Sequence, residues 1–268
     1  MLYILENNYI RVEISSLGGN IEKIINKKTG NNHYWEYDSE LWPRRTSVCF
    51  PVCGGVAQGK YLLNEKEYEM PQHGFLRETC LVAKIVEKEK LCLVAQADEN
   101  TKRMYPFEFL YEMIFELNKE VFTITYVIHN NSKNEMLYST GAHYTYAVPI
   151  DKNGSYEHYV IQIGNKTMYL KDDLFVNGAI LIPSEEIDNN TVKIKSLQSV
   201  CETEVQFDGF PYCILWSKPG IQPFVCIEPW AGLSDDMNKI DLDLYKKKAI
   251  RILKPSKSEK FVQTIKVK

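Results

Sequence analysis

The feature that most constrains this chain is a long succession of short strand-like runs broken by turn residues, with almost no helical period between them. Residues 9–14 alternate apolar with polar side chains, are interrupted at Leu17-Gly-Gly-Asn20, and resume over 21–25 before the turn cluster Lys28-Thr-Gly-Asn-Asn32. Runs of the same kind recur at 60–63, 67–70, 81–87, 91–97, 107–117, 121–130, 157–163, 191–194, 204–207, 212–216, 224–228, 250–253 and 260–267. The pair 107–117 and 121–129, joined by Asn118-Lys-Glu120, reads as a hairpin. Helix is expected only after Ser234, as one short segment over 235–245 with Ser234 as its cap. Closely spaced strands with no Pro/Gly/Ser linker, repeat or compositional break predict an all-β antiparallel sandwich, with residues 1–268 as one domain.

Charge and composition exclude several classes of function. The 32 basic and 35 acidic residues give a net charge of −3, and no basic block is interleaved with aromatics, so nucleic acid is not an expected partner. The lysines near 246–248 and 254–268 read as the solvated side of strands and turns. No apolar run approaches the roughly 18 residues a membrane helix needs. The first residues turn polar too soon for a secretory signal, so a cytoplasmic chain is expected. Seven cysteines, scattered through apolar runs and none in Cys-x-x-Cys, read as buried reduced thiols.

The chemistry concentrates in three connecting stretches. In Phe224-Val-Cys-Ile-Glu-Pro-Trp-Ala-Gly232 an apolar strand reaches a carboxylate, Glu228, beside Trp230. Pro229 cannot donate to a sheet ladder and Gly232 frees the backbone, so the chain is expected to leave the sheet there. A carboxyl group at that position would have its pKa raised toward the range of a base working near neutrality; the plainer reading is a strand-end ion pair with an arginine. His73 stands in Pro71-Gln-His-Gly-Phe-Leu-Arg77 beside a glycine that permits close backbone approach, and His143 follows the small-residue break at Gly141. His33, His129 and His158 read as surface or satisfied histidines. Connecting segments on a rigid β scaffold are where binding groups usually stand.

Gln72-His-Gly-Phe-Leu-Arg77, Gly141-Ala-His-Tyr-Thr145 and Cys226-Ile-Glu-Pro-Trp-Ala-Gly232 resemble, in order and spacing, the three signature segments of the aldose 1-epimerase (galactose mutarotase) family. Phe50-Pro-Val-Cys-Gly54, Met104-Tyr-Pro-Phe107 and Phe207-Asp-Gly-Phe-Pro-Tyr212 resemble its shorter bacterial branch, and the similarity runs from about residue 9 to 268. The resemblance implies an antiparallel β-supersandwich of the galactose mutarotase-like type, with a sugar cleft across one sheet and no metal or organic cofactor. It matches Glu228 to the family's general base, His143 to its general acid, and His73 to a histidine that holds the sugar near its ring oxygen. Arg44 or Arg45 takes the place of an arginine that contacts sugar hydroxyls. Arg77 matches the arginine that closes the histidine-glycine motif, and Trp230 is a candidate surface for the apolar face of the sugar. Two departures stand out: Gly54-Gly55 where members often carry Gly-Arg, and no counterpart to the aspartate that binds ring hydroxyls in galactose-specific members.

The residue types suit anomer exchange. That reaction needs a proton taken from the C1 hydroxyl and one delivered to the ring oxygen, which a carboxylate of raised pKa and an imidazole can supply from the two sides of one hollow. The expected activity is therefore interconversion of the α and β anomers of a free aldohexose, by a monomer or homodimer whose partner is a small sugar. Three rivals are weighed beside it. Hexose 6-phosphate is one possible substrate, with Arg44, Arg45 and Lys60 as a clamp. A second is a non-catalytic sugar-binding or sensing module on the same scaffold. The third is a zinc site of His73, His143 and Glu228, whose separations of 70 and 85 residues lack the short local spacing of common zinc motifs.

Overall fold

A computed structural model describes residues 1–42, 48–151, 154–238 and 240–268. The chain is an all-β antiparallel supersandwich built on two large sheets. One is nine-stranded, in the spatial order Lys166–Tyr169, Tyr159–Ile163, Thr191–Ser196, Glu202–Asp208, Ser258–Val267, Val121–Asn130, Phe109–Asn118, Lys90–Gln96 and Val82–Val86. The other runs Ile180–Pro183, Tyr212–Trp216, Phe224–Ala231, Thr140–Ala142 and Val48–Cys49, with Tyr144–Ala147 also paired to Phe224–Ala231. A three-stranded sheet of the first 26 residues flanks them.

Alternation explains the large sheet. Phe109–Asn118 and Val121–Asn130 bury every second side chain, and their register closes on Asn118 opposite Val121. Lys119, with φ of 53°, thus begins a two-residue turn of the left-handed kind that matches strand twist. The buried face of this sheet packs on the six-stranded one. Tyr111 and Thr140 share a hydrogen bond at 2.8 Å, and Gln263 donates to Tyr146 at 3.1 Å across the interface. Phe50 fits among Tyr105, Phe109 and Tyr111 at centroid distances of 4.9–5.7 Å.

Three expectations need correction. No helix forms over the described part of 235–245. The Ser234 hydroxyl accepts the Gly55 N–H instead, and only a single turn, Leu244–Lys246, capped by Asp243, follows. The α-helix among the described residues is Glu99–Met104, short enough to escape a periodicity search and held by a capping box between Asp98 and Thr101. Lys247, read as solvated, is buried, with its ammonium donating to the Leu233 carbonyl. Six cysteines are buried and free as expected, while Cys80 is free and exposed.

Candidate active site

The site lies on the outer face of the six-stranded sheet, and period-2 alternation along Phe224–Ala231 puts it there. All eight residues of that strand are buried. Val225, Ile227 and Ala231 join the main core between the sheets, whereas Phe224, Cys226 and Trp230 belong to separate clusters. Glu228 shares their face. The strand does not end at Glu228: it runs through Pro229, paired with Cys213, to Ala231, and the backbone departs at Gly232, where φ is 144°.

Pro229 acts on the other side. Thr140 and Gly141 pair with Ala231 and Trp230, and Tyr144–Ala147 pair with 227–224 in the same register. Between them the ladder lapses at Ala142 and His143, because Pro229 has no N–H to offer. The uninterrupted register sets His143 opposite Glu228, and the Nε2–Oε2 distance is 3.4 Å. The two groups therefore stand side by side rather than on two sides of a hollow. Among the described residues His143, not an arginine, is the basic group paired with this carboxylate.

Both groups are removed from water, with relative exposures of 2 % for Glu228 and 7 % for His143. Burial pushes the Glu228 carboxyl well above the usual carboxylate range, and the neighbouring Cys53 thiol adds to this. Trp230, whose indole Nε1 does not reach hydrogen-bond geometry, and Cys226 draw it the other way. Burial lowers His143 to about 3, with the Arg77 guanidinium contributing. Desolvation thus favours one proton shared by the pair and no net charge.

His73 arrives from a separate loop. Its backbone donates to Gly54 O at 2.7 Å, and its carbonyl accepts from Phe50 at 3.1 Å. Gly74 follows at φ 72°, where an added Cβ would lie 2.0 Å from Phe50 O. The Gly54 N–H donates to His73 Nδ1 at 3.2 Å, and the Cys49 thiol lies 3.1 Å from the same nitrogen. An accepting Nδ1 leaves the proton of the neutral ring on Nε2. The His73 ring meets His143 edge to face at 4.9 Å and Trp230 at 5.5 Å. Arg77 is buried behind this loop and donates to the Gln72 carbonyl at 2.8 Å.

These groups line a cavity of about 310 Å³, the low end of the roughly 300–1,000 Å³ usual for small-molecule clefts. His73, Arg77, His143, Glu228 and Trp230 meet there. Arg44 and Arg45 lie outside the described residues. Trp42 and Trp216, missed from sequence, complete the wall, their rings 4.5 Å apart and Trp42 5.9 Å from His143. Trp216 was recoverable once strand pairing is known: Tyr212, Ile214 and Trp216 face Trp230, Glu228 and Cys226 in register. Nδ1 of His143 and Nε1 of Trp230 are buried without a hydrogen-bond partner among the described residues. A ring nitrogen of His143, Cys226 Sγ and a Glu228 oxygen lie within 4.8 Å of one another, a set that differs from the His73–His143–Glu228 one. His73 stands apart from this set, with its Nδ1 turned to Gly54 and Cys49.

The architecture places the chain among the mutarotase-like β-supersandwiches. It superposes on the galactose mutarotase related enzyme of Lactobacillus acidophilus with a TM-score of 0.94 at 25% identity, covering 100% of this chain and 97% of that one. A galactose mutarotase-like protein of Lactobacillus casei ATCC 334 gives 0.91 at 21% identity, with full coverage of both chains. Protein LacX of Lactococcus lactis subsp. lactis is 24% identical over 96% of each sequence. Residues 1–208 match the family model described as Aldose 1-epimerase, and the chain belongs to that family.

Proposed function

We propose that the protein interconverts the α and β anomers of an aldose by paired proton transfer at Glu228 and His143. The observation that carries this reading is the 3.4 Å contact between a buried imidazole and a buried carboxyl group lining one sugar-sized cavity. O1 and O5 of a cyclic aldose are both bonded to C1, so two groups side by side address both oxygens from one edge of the ring.

In the forward step Glu228, as carboxylate, takes the proton from O1 while His143, as imidazolium, gives one to O5. The C1–O5 bond breaks, its electron pair stays on O5, and the electrons of the O1–H bond form the C1=O1 double bond. Rotation about C1–C2 presents the other carbonyl face, and reclosure returns each proton. The pair holds one proton before and after, so no net charge builds up in a buried site. Burial favours the uncharged resting arrangement, and transfer of that proton within the pair gives the reactive one. His73, with its donor on Nε2, is assigned to hold the sugar near O5; Arg77 supports the His73 loop through Gln72. Trp230, Trp42 and Trp216 offer apolar surfaces to the C–H faces of the ring.

Polarimetry on freshly dissolved α-D-glucose and α-D-galactose tests this. The wild type is expected to accelerate the rotation change in proportion to enzyme. If no free, substituted or phosphorylated aldose responds, the enzyme reading gives way to a sugar-binding module.

A further inference from the structure

A second hollow, of about 930 Å³, adjoins the inner cavity, and Gln72 and Ser234 line both. The backbone step between them is Gly54-Gly55, with Gly54 on the inner cavity and Gly55 on the outer. This step is bare and fixed. A Cβ on Gly54 would lie 2.3 Å from that of Ser234, and one on Gly55 would press on Met237 Sδ at 3.2 Å. The Gly55 N–H donates to Ser234 Oγ at 3.0 Å, and Gly55 O accepts from the Asp235 N–H at 3.0 Å and from the Lys247 ammonium at 3.5 Å.

The outer hollow has the chemistry of a sugar subsite rather than of an anion site. Gln58 and Glu69 offer acceptors for hydroxyls, and Met70, Pro71 and Met237 offer apolar surface for C–H faces. Its cation, Lys60, is paired with Glu67 at 3.0 Å. With Glu69 beside them the lining carries a formal excess of negative charge, which opposes a phosphate. Orientation follows from the proposed anomer exchange. If the C1–O5 edge meets the buried Glu228–His143 pair, C4 lies across the ring, toward the exposed part of the lining (Gln72, Ala179 and Ser234), of which Gln72 and Ser234 stand where the cavities join.

We infer that the preferred substrate is a reducing sugar with a neutral glycosyl group on O4, its reducing ring in the inner cavity and its second ring in the outer one. This rests on the anomer-exchange reading above. Anomer exchange rates for maltose and cellobiose, both 4-O-linked, are compared with glucose, 6-O-linked isomaltose and glucose 6-phosphate. At least one 4-O-linked disaccharide should exceed the other three in kcat/KM by about tenfold. Glu69→Trp, which fills the outer hollow from an exposed strand position, should erase most of that advantage. Equal or better turnover of glucose, isomaltose or the phosphate overturns the assignment, as does an equal effect of Glu69→Trp on all sugars. Should no sugar be turned over, the function proposal fails separately, and titration calorimetry decides the subsite. Tighter binding of a 4-O-linked disaccharide than of glucose, lost in Glu69→Trp, sustains it; equal affinities reject it.

Discussion

At the residue scale, the chemistry rests on how little water reaches Glu228. Its pKa is raised, so above about pH 4.5 the folded state holds a proton that the unfolded chain releases, and stability declines as pH rises toward the folded value. Replacing the carboxyl by an amide removes that penalty. Glu228→Gln is therefore expected to raise the thermal midpoint at pH 8 relative to wild type, with a smaller gain at pH 4.5, as calorimetry at the two pH values will show. The paired imidazole widens the window in which one proton is held, because His143 takes a second only near pH 3. The acid limb of the kcat/KM profile should accordingly lie below the ordinary histidine value. A bell centred near the ordinary histidine value would mean that His143 titrates as an exposed group. The raised carboxyl was legible in sequence, because an ionisable group that follows an apolar run is either functional or expensive. What sequence alone left open was its partner, an arginine or a histidine.

At the element scale, a lapse in one β-ladder organises the site. Pro229 within Phe224–Ala231 leaves the opposite strand unpaired at Ala142–His143, and register does the rest. Gly141 is the neighbouring requirement, since an added Cβ would lie 2.4 Å from Trp230 Cδ1. Gly141→Ala should displace the indole, cost roughly 1–3 kcal/mol in a denaturant titration, and raise KM for the sugar. Unchanged KM would show that Trp230 is a packing residue only. Residues 141, 143, 228, 229 and 230 were all visible as motifs, yet the pairing that joins them was not. A sequence shows the apolar alternation of a strand, but the partner strand is some 85 residues away. Pro229 was therefore read as the end of a strand, when it is a gap beside one. Trp42, which lies outside any strand, and Trp216 were hidden for a related reason: the wall they share joins segments distant in sequence.

At the scale of the whole molecule, the alternating runs disclosed the sandwich because the nine-stranded sheet buries one face against the other sheet, which imposes period 2 on its central strands Phe109–Asn118, Val121–Asn130 and Ser258–Val267. The short edge pieces, such as Val48–Cys49 and Thr140–Ala142, escaped because two or three residues hold no period. His33, read as a surface or satisfied residue, is fully buried, with Nδ1 2.8 Å from Thr203 Oγ1, tying the N-terminal segment to the nine-stranded sheet. Burial lowers it to about 3, as it does His143. Between the ordinary histidine value and pH 3 the unfolded chain binds more protons, so stability falls as pH drops through that window, by up to a few kcal/mol per imidazole. Acid unfolding followed by circular dichroism should begin below about pH 6 and shift to lower pH in His33→Gln. The most direct test of the account is a double-substitution cycle on anomer exchange, measured by NMR magnetisation transfer with Glu228→Gln, His143→Asn and the two combined. If the pair moves both protons as a unit, each single change lowers kcat by about 10²–10⁴-fold, and the combination is little worse than the more damaging of the two. Independent, multiplying losses, or a single variant that keeps the wild-type rate, would contradict it.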